Sequence, residues 1–292
     1  MKDKFNSVLY PSVLVRTKKA GGSGTVIYSK PEKKGATDCE TYVLTNFHVV
    51  EDAIYIRKEW SPLLNKEVKK ETRGTVTVEF YKYKNKSVSI GKYSVEASIE
   101  AYDKEQDMAL LKLKDVEKQK YVAKLFSEDI KTVNIFDNCY ICGCGLGHPP
   151  FQTKGEICGL VNEIDNYNYF MTNAGSIFGN SGGGVYLESS GEFIGIPSRV
   201  AIAMVGFGLD AITHMGYFIP VDRIYKWIKE VNYQFIYDSK YTSEQCSKIR
   251  TRKQKNAQKI WDRKESEDFE EEETPKHKLE FDEDDDEFED DD

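Results

Sequence analysis

The chain has no long apolar run. Nowhere in its 292 residues is there a stretch near the ~18–20 apolar residues needed to cross a bilayer. Its start, Met1-Lys2-Asp3-Lys4-Phe5-Asn6, has neither an apolar core nor a small-residue cleavage pattern, so no secretory signal is expected. Cysteine is also scarce. Six residues (Cys39, Cys139, Cys142, Cys144, Cys158 and Cys246) are too few for a disulfide scaffold at this length. Together these absences predict a reduced, intracellular (cytoplasmic) chain that does not contact a membrane.

Metal chemistry is equally thin. Cys139, Cys142, Cys144 and His148 supply four zinc-type ligands, but in a tight C-x2-C-x-C-x3-H spacing. On a strand, Cys142 and Cys144 would share one face with Cys139 on the other. The better expectation is buried thiols leading into the turn Gly145-Leu146-Gly147, with no metal and no cofactor.

The net charge of −8 conceals two opposite regions. From Glu265 to Asp292 there are 18 acidic and 2 basic residues, a net −16, so the rest of the chain carries +8. That low-complexity acidic tail cannot bury enough apolar area to offset its ordering entropy, and disorder is expected over 265–292. The preceding stretch, 237–264, holds a basic run from Lys248 to Lys264 and reads as a basic helical extension.

Before that lies a β pattern. Val76, Val78 and Phe80 alternate with Thr75, Thr77 and Glu79, the period of a half-buried strand. Further strands are predicted at Thr25 to Tyr28, Tyr42 to Leu44 and Met108 to Leu113. A second cluster follows at Asn138 to Cys142, Gly155 to Val161, Tyr167 to Thr172, Val185 to Leu187, Phe193 to Ile196 and Gly216 to Ile219. Short, regularly spaced strands with Gly-rich turns argue for barrels, roughly 7–115 and 130–220. After Pro220, Val221, Ile224, Trp227, Ile228 and Val231 fall on one helical face, giving a helix over about 221–236 that closes a domain of residues 1–236.

Three segments carry chemistry. Thr45-Asn46-Phe47-His48-Val49-Val50 ends an apolar run, Asp107 opens another, and Gly179-Asn180-Ser181-Gly182-Gly183-Gly184 follows, with separations of 59 and 74 residues. A serine hydroxyl needs a histidine to take its proton, a carboxylate to orient that histidine, and N–H donors for the oxyanion. His48 is the expected general base and Asp107 its orienting partner. Ser181 is the expected nucleophile, with the N–H groups of Gly179 and Ser181 forming the oxyanion hole. The order His, Asp, Ser is that of the chymotrypsin-like enzymes. It predicts a serine endopeptidase that hydrolyses peptide bonds through an acyl-enzyme.

As a set, Gly21-Gly22-Ser23-Gly24-Thr25-Val26-Ile27, Tyr42 to Val50, Gln106-Asp107-Met108-Ala109-Leu110, Gly179 to Gly183, Gly191 to Ile196 and Gly216 to Pro220 resemble the HtrA/Deg branch of chymotrypsin-like proteases. The resemblance covers about residues 11–232. It implies a mainly β, trypsin-like fold of two perpendicular six-stranded antiparallel barrels, with the site in the cleft between them. It places Gly175 and Ser176 near the base of a specificity pocket and Ser198, Arg199 and Val200 along its edge. The segment from Pro197 to Met215 would form part of that pocket's wall. Arg199 either favours an acidic substrate side chain or is simply solvated. About 60 residues remain after the protease region, too few for the PDZ domain common in that branch. Asn180 replaces the aspartate that pairs with a newly cut N-terminus in digestive relatives, and no cysteine closely follows His48 where secreted trypsins typically carry one. Neither propeptide activation nor a disulfide is implied. Expected partners are protein or peptide substrates, with a basic protein as a further partner of the acidic tail. Monomer and trimer both stay open. The rival reading is a protease-fold binding protein, weak or inactive as a catalyst, whose tail engages basic partners.

Overall fold

The computed structural model describes residues 3–31, 39–61, 66–114, 117–206 and 208–272. The first half contains β1 (Ser12–Arg16), β2 (Gly21–Pro31), β3 (Cys39–Thr45), β4 (Ile54–Ser61), β5 (Lys66–Arg73), β6 (Val76–Asn85), β7 (Val88–Asp103) and β8 (Met108–Leu113). Six of these close into an antiparallel barrel in the order β1-β2-β3-β8-β7-β6, while β4 and β5 form a ribbon of their own. The second half holds β9 (Asn138–Gly143), β10 (Phe151–Ile164), β11 (Tyr167–Thr172), β12 (Gly184–Leu187), β13 (Phe193–Val205) and β14 (Gly208–Pro220). These close in the order β10-β11-β14-β13-β12-β9. The expected mainly β fold of two six-stranded barrels is the one observed.

The apolar runs take the central places. β3 is buried along its whole length, and β8 is buried except at Lys112. The alternating β6 sends Val76, Val78 and Phe80 into the first core, with Val13, Val15, Val43 and Leu111. Each such side chain contributes about 1.5–3 kcal/mol by leaving water. Glu79, buried on the same strand, is held by Lys92 at 2.6 Å and Arg16 at 3.4 Å. The second core gathers Ile141, Ile157, Phe170, Val185, Ile194 and Phe218.

Two short helices matter for position. α1 (Phe47–Val50) caps the end of β3 and buries Phe47, Val49 and Val50, leaving His48 outward. α2 (Val221–Glu230) buries Val221, Ile224, Trp227 and Ile228 of the anticipated stripe together with Tyr225, leaves Val231 half-buried just past its end, and contacts β13 and β14. A second unit starts at Glu244 and contains most of α3 (Ser243–Glu272). That helix runs through the basic stretch and eight residues into the segment expected to be disordered, where glutamate is a strong helix former. The rest of the acidic tail, 273–292, lies outside the described residues. Among the described residues, no helix is long and apolar enough to cross a membrane.

Candidate active site

His48 sits on α1 directly after Asn46, whose extended backbone (φ −81°, ψ 153°) turns the chain out of β3. Asp107 stands at the mouth of β8 with a left-handed φ of +57°, a conformation aspartate tolerates better than most residues. The turn before it is closed by Asp103, whose carboxylate accepts from the Gln106 backbone at 2.8 Å and its side chain at 2.9 Å. The Asn46 amide donates to the Asp107 carbonyl at 2.8 Å, fixing the two loops together.

The Asp107 carboxylate is buried and fully engaged. It accepts the His48 backbone N–H at 3.0 Å, and Nδ1 of His48 lies 2.9 Å from both of its oxygens. Ser198 donates to Oδ2 at 2.6 Å. A carboxylate only accepts, so Nδ1 carries the proton and Nε2 is left as the basic nitrogen. The imidazole is 45% exposed, with its free edge towards a cavity of about 530 Å³ that Phe47, Lys104, Arg199 and Ile202 help to line.

Ser181 comes from the opposite barrel, in the loop before β12. Its position relative to the first barrel is set by Ser23 on β2. The Ser23 backbone N–H donates to the Ser181 carbonyl at 2.8 Å, and its hydroxyl donates to the Gly179 carbonyl at 2.5 Å. The same hydroxyl accepts the Cys144 N–H at 2.7 Å, and the Ser23 carbonyl accepts the Thr45 hydroxyl at 2.7 Å. Gly182, at φ +84°, passes so close that a Cβ would collide with the Ser23 carbonyl and the Thr45 hydroxyl. The loop bearing Ser181 therefore lies against the residues leading to His48. Among the described residues, neither the Ser181 hydroxyl nor Nε2 of His48 makes a hydrogen bond.

The N–H groups around Ser181 fall into two sets. Those of Asn180, Gly182 and Gly183 donate to Ile177, Pro197 and Asn180 carbonyls at 3.0, 3.2 and 2.9 Å. Those of Gly179 and Ser181 donate to no acceptor among the described residues. Gly179 holds φ +94°, where a Cβ would lie 2.7 Å from the Leu146 nitrogen, so the position excludes a side chain.

A trypsin-like peptidase domain is matched over residues 22–196. The chain belongs to the trypsin-like peptidases. Its fold is shared with HtrA-type proteases. The HtrA-type protease AlgW, solved with a tripeptide, superposes with a TM-score of 0.54 at 20% identity, covering 80% of this chain and 62% of that one. Deg5 gives 0.52 at 20%, covering 76% of this chain and 89% of that one. The serine endoprotease from Yersinia pestis gives 0.50 at 19%, covering 78% and 64%. The peptidase thus spans about three fifths of the AlgW chain's length. No curated protein matches it by sequence.

The five residues assigned to substrate binding in this trypsin-like peptidase divide by position. Ser176 donates its N–H to the Thr213 carbonyl at 2.7 Å, and a Cβ on Gly216 would sit 3.0 Å from its Cβ. Gly216 is the register partner of Val200, so Ser176, Gly216 and Val200 meet. The Gly175 carbonyl accepts the Thr153 hydroxyl at 2.7 Å. Ser198 turns its hydroxyl onto Asp107. Arg199, which helps line the cavity beside His48, is held by Asp165 at 2.7 Å, with its guanidinium 5.3 Å over the Tyr169 ring.

The cysteines do not converge. Cys139 bonds the Thr172 hydroxyl at 3.1 Å inside the second barrel, whereas Cys142 accepts from Ser12 at 3.3 Å. Burial pushes the Cys139 thiol up to about 11 and the Cys142 thiol up to about 12, so both stay protonated at neutral pH. Among the described residues, no group of three or more Cys, His, Asp or Glu is arranged to hold a metal.

Sequence reasoning missed two roles, those of Ser23 as the link between barrels and of Ser198 as a donor to Asp107. A serine inside the glycine run Gly21 to Gly24 was a visible signal for the first, since small residues mark close backbone approach. The second has no local signal, because its partner is 91 residues away.

Proposed function

We propose that the chain is a serine endopeptidase acting on protein or peptide substrates through His48, Asp107 and Ser181. The observation that carries this reading is the pair of unengaged N–H groups at Gly179 and Ser181, facing no protein acceptor beside the ordered His48–Asp107 pair. Two open donors on either side of Asn180, whose own N–H is used, are what an oxyanion requires.

In this reading Ser181 Oγ attacks the scissile carbonyl while Nε2 of His48 takes its proton. Asp107 stabilises the imidazolium without being protonated itself. The carbonyl oxygen gains charge between the Gly179 and Ser181 N–H groups. His48 then delivers its proton to the leaving amine, and water cleaves the acyl ester by the same steps in reverse order. The Ser181–Nε2 hydrogen bond forms as substrate enters, since catalytic contacts are commonly completed only in the complex. Ser176, Gly216 and Val200 receive the side chain before the cleaved bond. The acidic tail, at net −16, adds a place for a basic partner, tested by truncating the chain.

Labelling with a fluorophosphonate, followed by peptide mapping, tests the assignment. The label should fall on Ser181, and Ser181→Ala should lose both labelling and cleavage of an unfolded substrate, by several orders of magnitude. Cleavage that persists in the variant would overturn it.

A further inference from the structure

Beyond the site itself, β13 and β14 continue outward as a two-stranded arm. At its base β13 pairs with β12, through Gly195 with Val185 and Phe193 with Tyr186. From Ile196 onward that edge has no strand neighbour among the described residues, while the other edge stays paired with β14 out to Val205 with Gly208. Between Val200–Gly216 and Ala201–Ile212 the register jumps, leaving Thr213, His214 and Met215 looped out of β14. Such an irregularity bends a ribbon and re-aims its outer part.

The arm's side chains sort by the period of two. Ile202 opposite Ala211 and Met204 opposite Leu209 share one face. On that face Ile202 is 61%, Met204 77% and Leu209 74% exposed. Large apolar side chains in water on an uncovered two-stranded arm with an open edge are an unusual arrangement, and one that marks an interaction surface. Ile202 also lines the cavity that holds the outward edge of His48. The apolar face is therefore continuous with the reaction centre.

We propose that the outer arm is a docking strip for the part of a peptide substrate N-terminal to the cleaved bond, selecting apolar side chains well upstream of it. This rests on the peptidase reading above and adds the substrate's upstream chemistry to it. An extended peptide adds to the open edge of β13 as an antiparallel strand, with main-chain hydrogen bonds for affinity and alternate side chains for selection. Ser198 marks the reaction centre through its bond to Asp107. Counted residue for residue from there, Ile202 and Met204 stand opposite about the fifth and seventh residue upstream, some 13–20 Å away at about 3.3 Å per residue. The charge of the arm agrees. Between Val200 and Val221 the sequence holds Asp210 and no lysine or arginine, which disfavours an anionic lipid surface or a nucleic acid and suits an apolar peptide.

The test uses the full chain and internally quenched peptides sharing one cleavable centre. One set carries four residues upstream. A second carries eight, with either leucine or serine at the fifth and seventh positions. The long leucine peptide should exceed the short one in kcat/KM by about tenfold or more, mainly through KM, and the long serine peptide should not. In Met204→Lys/Leu209→Lys the long-to-short ratio should fall to about one. The ratio carries the test, because a damaged fold slows both peptides alike. Equal cleavage of the leucine and serine peptides by the native chain overturns the proposal. So does a variant that keeps the leucine preference. If the variant instead changes only the oligomeric state by light scattering, the arm is a contact between copies and the proposal also fails. Fluorescence anisotropy of the long leucine peptide on Ser181→Ala separates the two readings. Absent cleavage with retained, Met204- and Leu209-dependent binding sinks the peptidase and keeps the strip, whereas cleavage of both lengths without preference does the reverse.

Discussion

The two barrels bring opposite kinds of polar group to the site. Around Asp107, from the first barrel, every position is taken: a backbone N–H, an imidazole N–H and the Ser198 hydroxyl all point at one carboxylate, within 2.6–3.0 Å. Around Ser181, from the second barrel, the Gly179 and Ser181 N–H groups have no partner among the described residues, while those of Asn180, Gly182 and Gly183 do. The first half is complete before anything binds, and so holds its geometry. The second half is incomplete by two acceptors, and a buried or half-buried donor without a partner costs free energy until something supplies one. What supplies them, in the proposed reaction, is the charge that develops on the substrate.

The comparison breaks most severely at Asp107. Asp107→Asn keeps the shape but presents an amide N–H where Nδ1–H must be accepted, so the imidazole loses its tautomer. We expect kcat to fall by about 10⁴, with Ser181 labelling slowed in parallel. A loss below tenfold would show that the first half is not what orients the base. Gly179→Ala attacks the other half. The left-handed φ of +94° and the Leu146 nitrogen 2.7 Å from a new Cβ force the N–H away from its present direction. A fall in kcat of about 10²–10³ with KM little changed is expected. The strained backbone should cost about 1–3 kcal/mol in denaturant titrations. An unchanged kcat with that loss of stability would remove Gly179 from the oxyanion hole.

Ser198→Ala subtracts one donor of the three around Asp107. The other two remain, so a drop of about tenfold in kcat/KM is expected, in line with a charge-assisted hydrogen bond partly replaced by water. Rescue by Ser198→Thr would separate positioning from packing. The smallest effect lies away from the site, where Glu188 accepts from Lys4, Lys154 and Tyr140. Hydrogen bonds from Lys154, Tyr140 and Lys4 pull its carboxyl down to about 2 from an ordinary 4.5. A depressed carboxylate adds stability above its unfolded value that is lost as pH falls through the folded one. The Tm difference between the native chain and Glu188→Gln should therefore be full above about pH 4.5 and fade towards pH 2. A difference that grows with acid would contradict the sign.

The two halves also differ in how much of them could be read beforehand. Strands that enter a core announced themselves: Val76, Val78 and Phe80, on a strand with one buried face, did so by alternation, and β3 and β8, buried on both faces, by apolar runs. The ribbon of β4 and β5 did not. Lys66-Glu67-Val68-Lys69-Lys70-Glu71 carries charge at both odd and even positions, so no period of two survives in the sequence. The outer arm of β13 and β14 was hidden for a related reason. Its alanines, Ile202, Met204 and Leu209 read as the wall of a pocket, and nothing local says that they stand in solvent. Within the site, residue types with a forced chemistry (His48, Asp107 and the glycines around Ser181) were visible. The satisfaction of each N–H was not, since it depends on carbonyls contributed from elsewhere in the chain.

Ser23 gives this division a temporal meaning. One residue of β2 ties the carbonyls of Gly179 and Ser181, the Cys144 N–H and the Thr45 hydroxyl into a single knot. During synthesis, the residues of the first barrel, His48 and Asp107 among them, emerge well over sixty residues ahead of Ser181. In the proposed reading the chain has no nucleophile until then. The serine's loop is then held against the first barrel by Ser23. In the proposed reading the chain is an interlocked tool, unarmed until its last strands have closed.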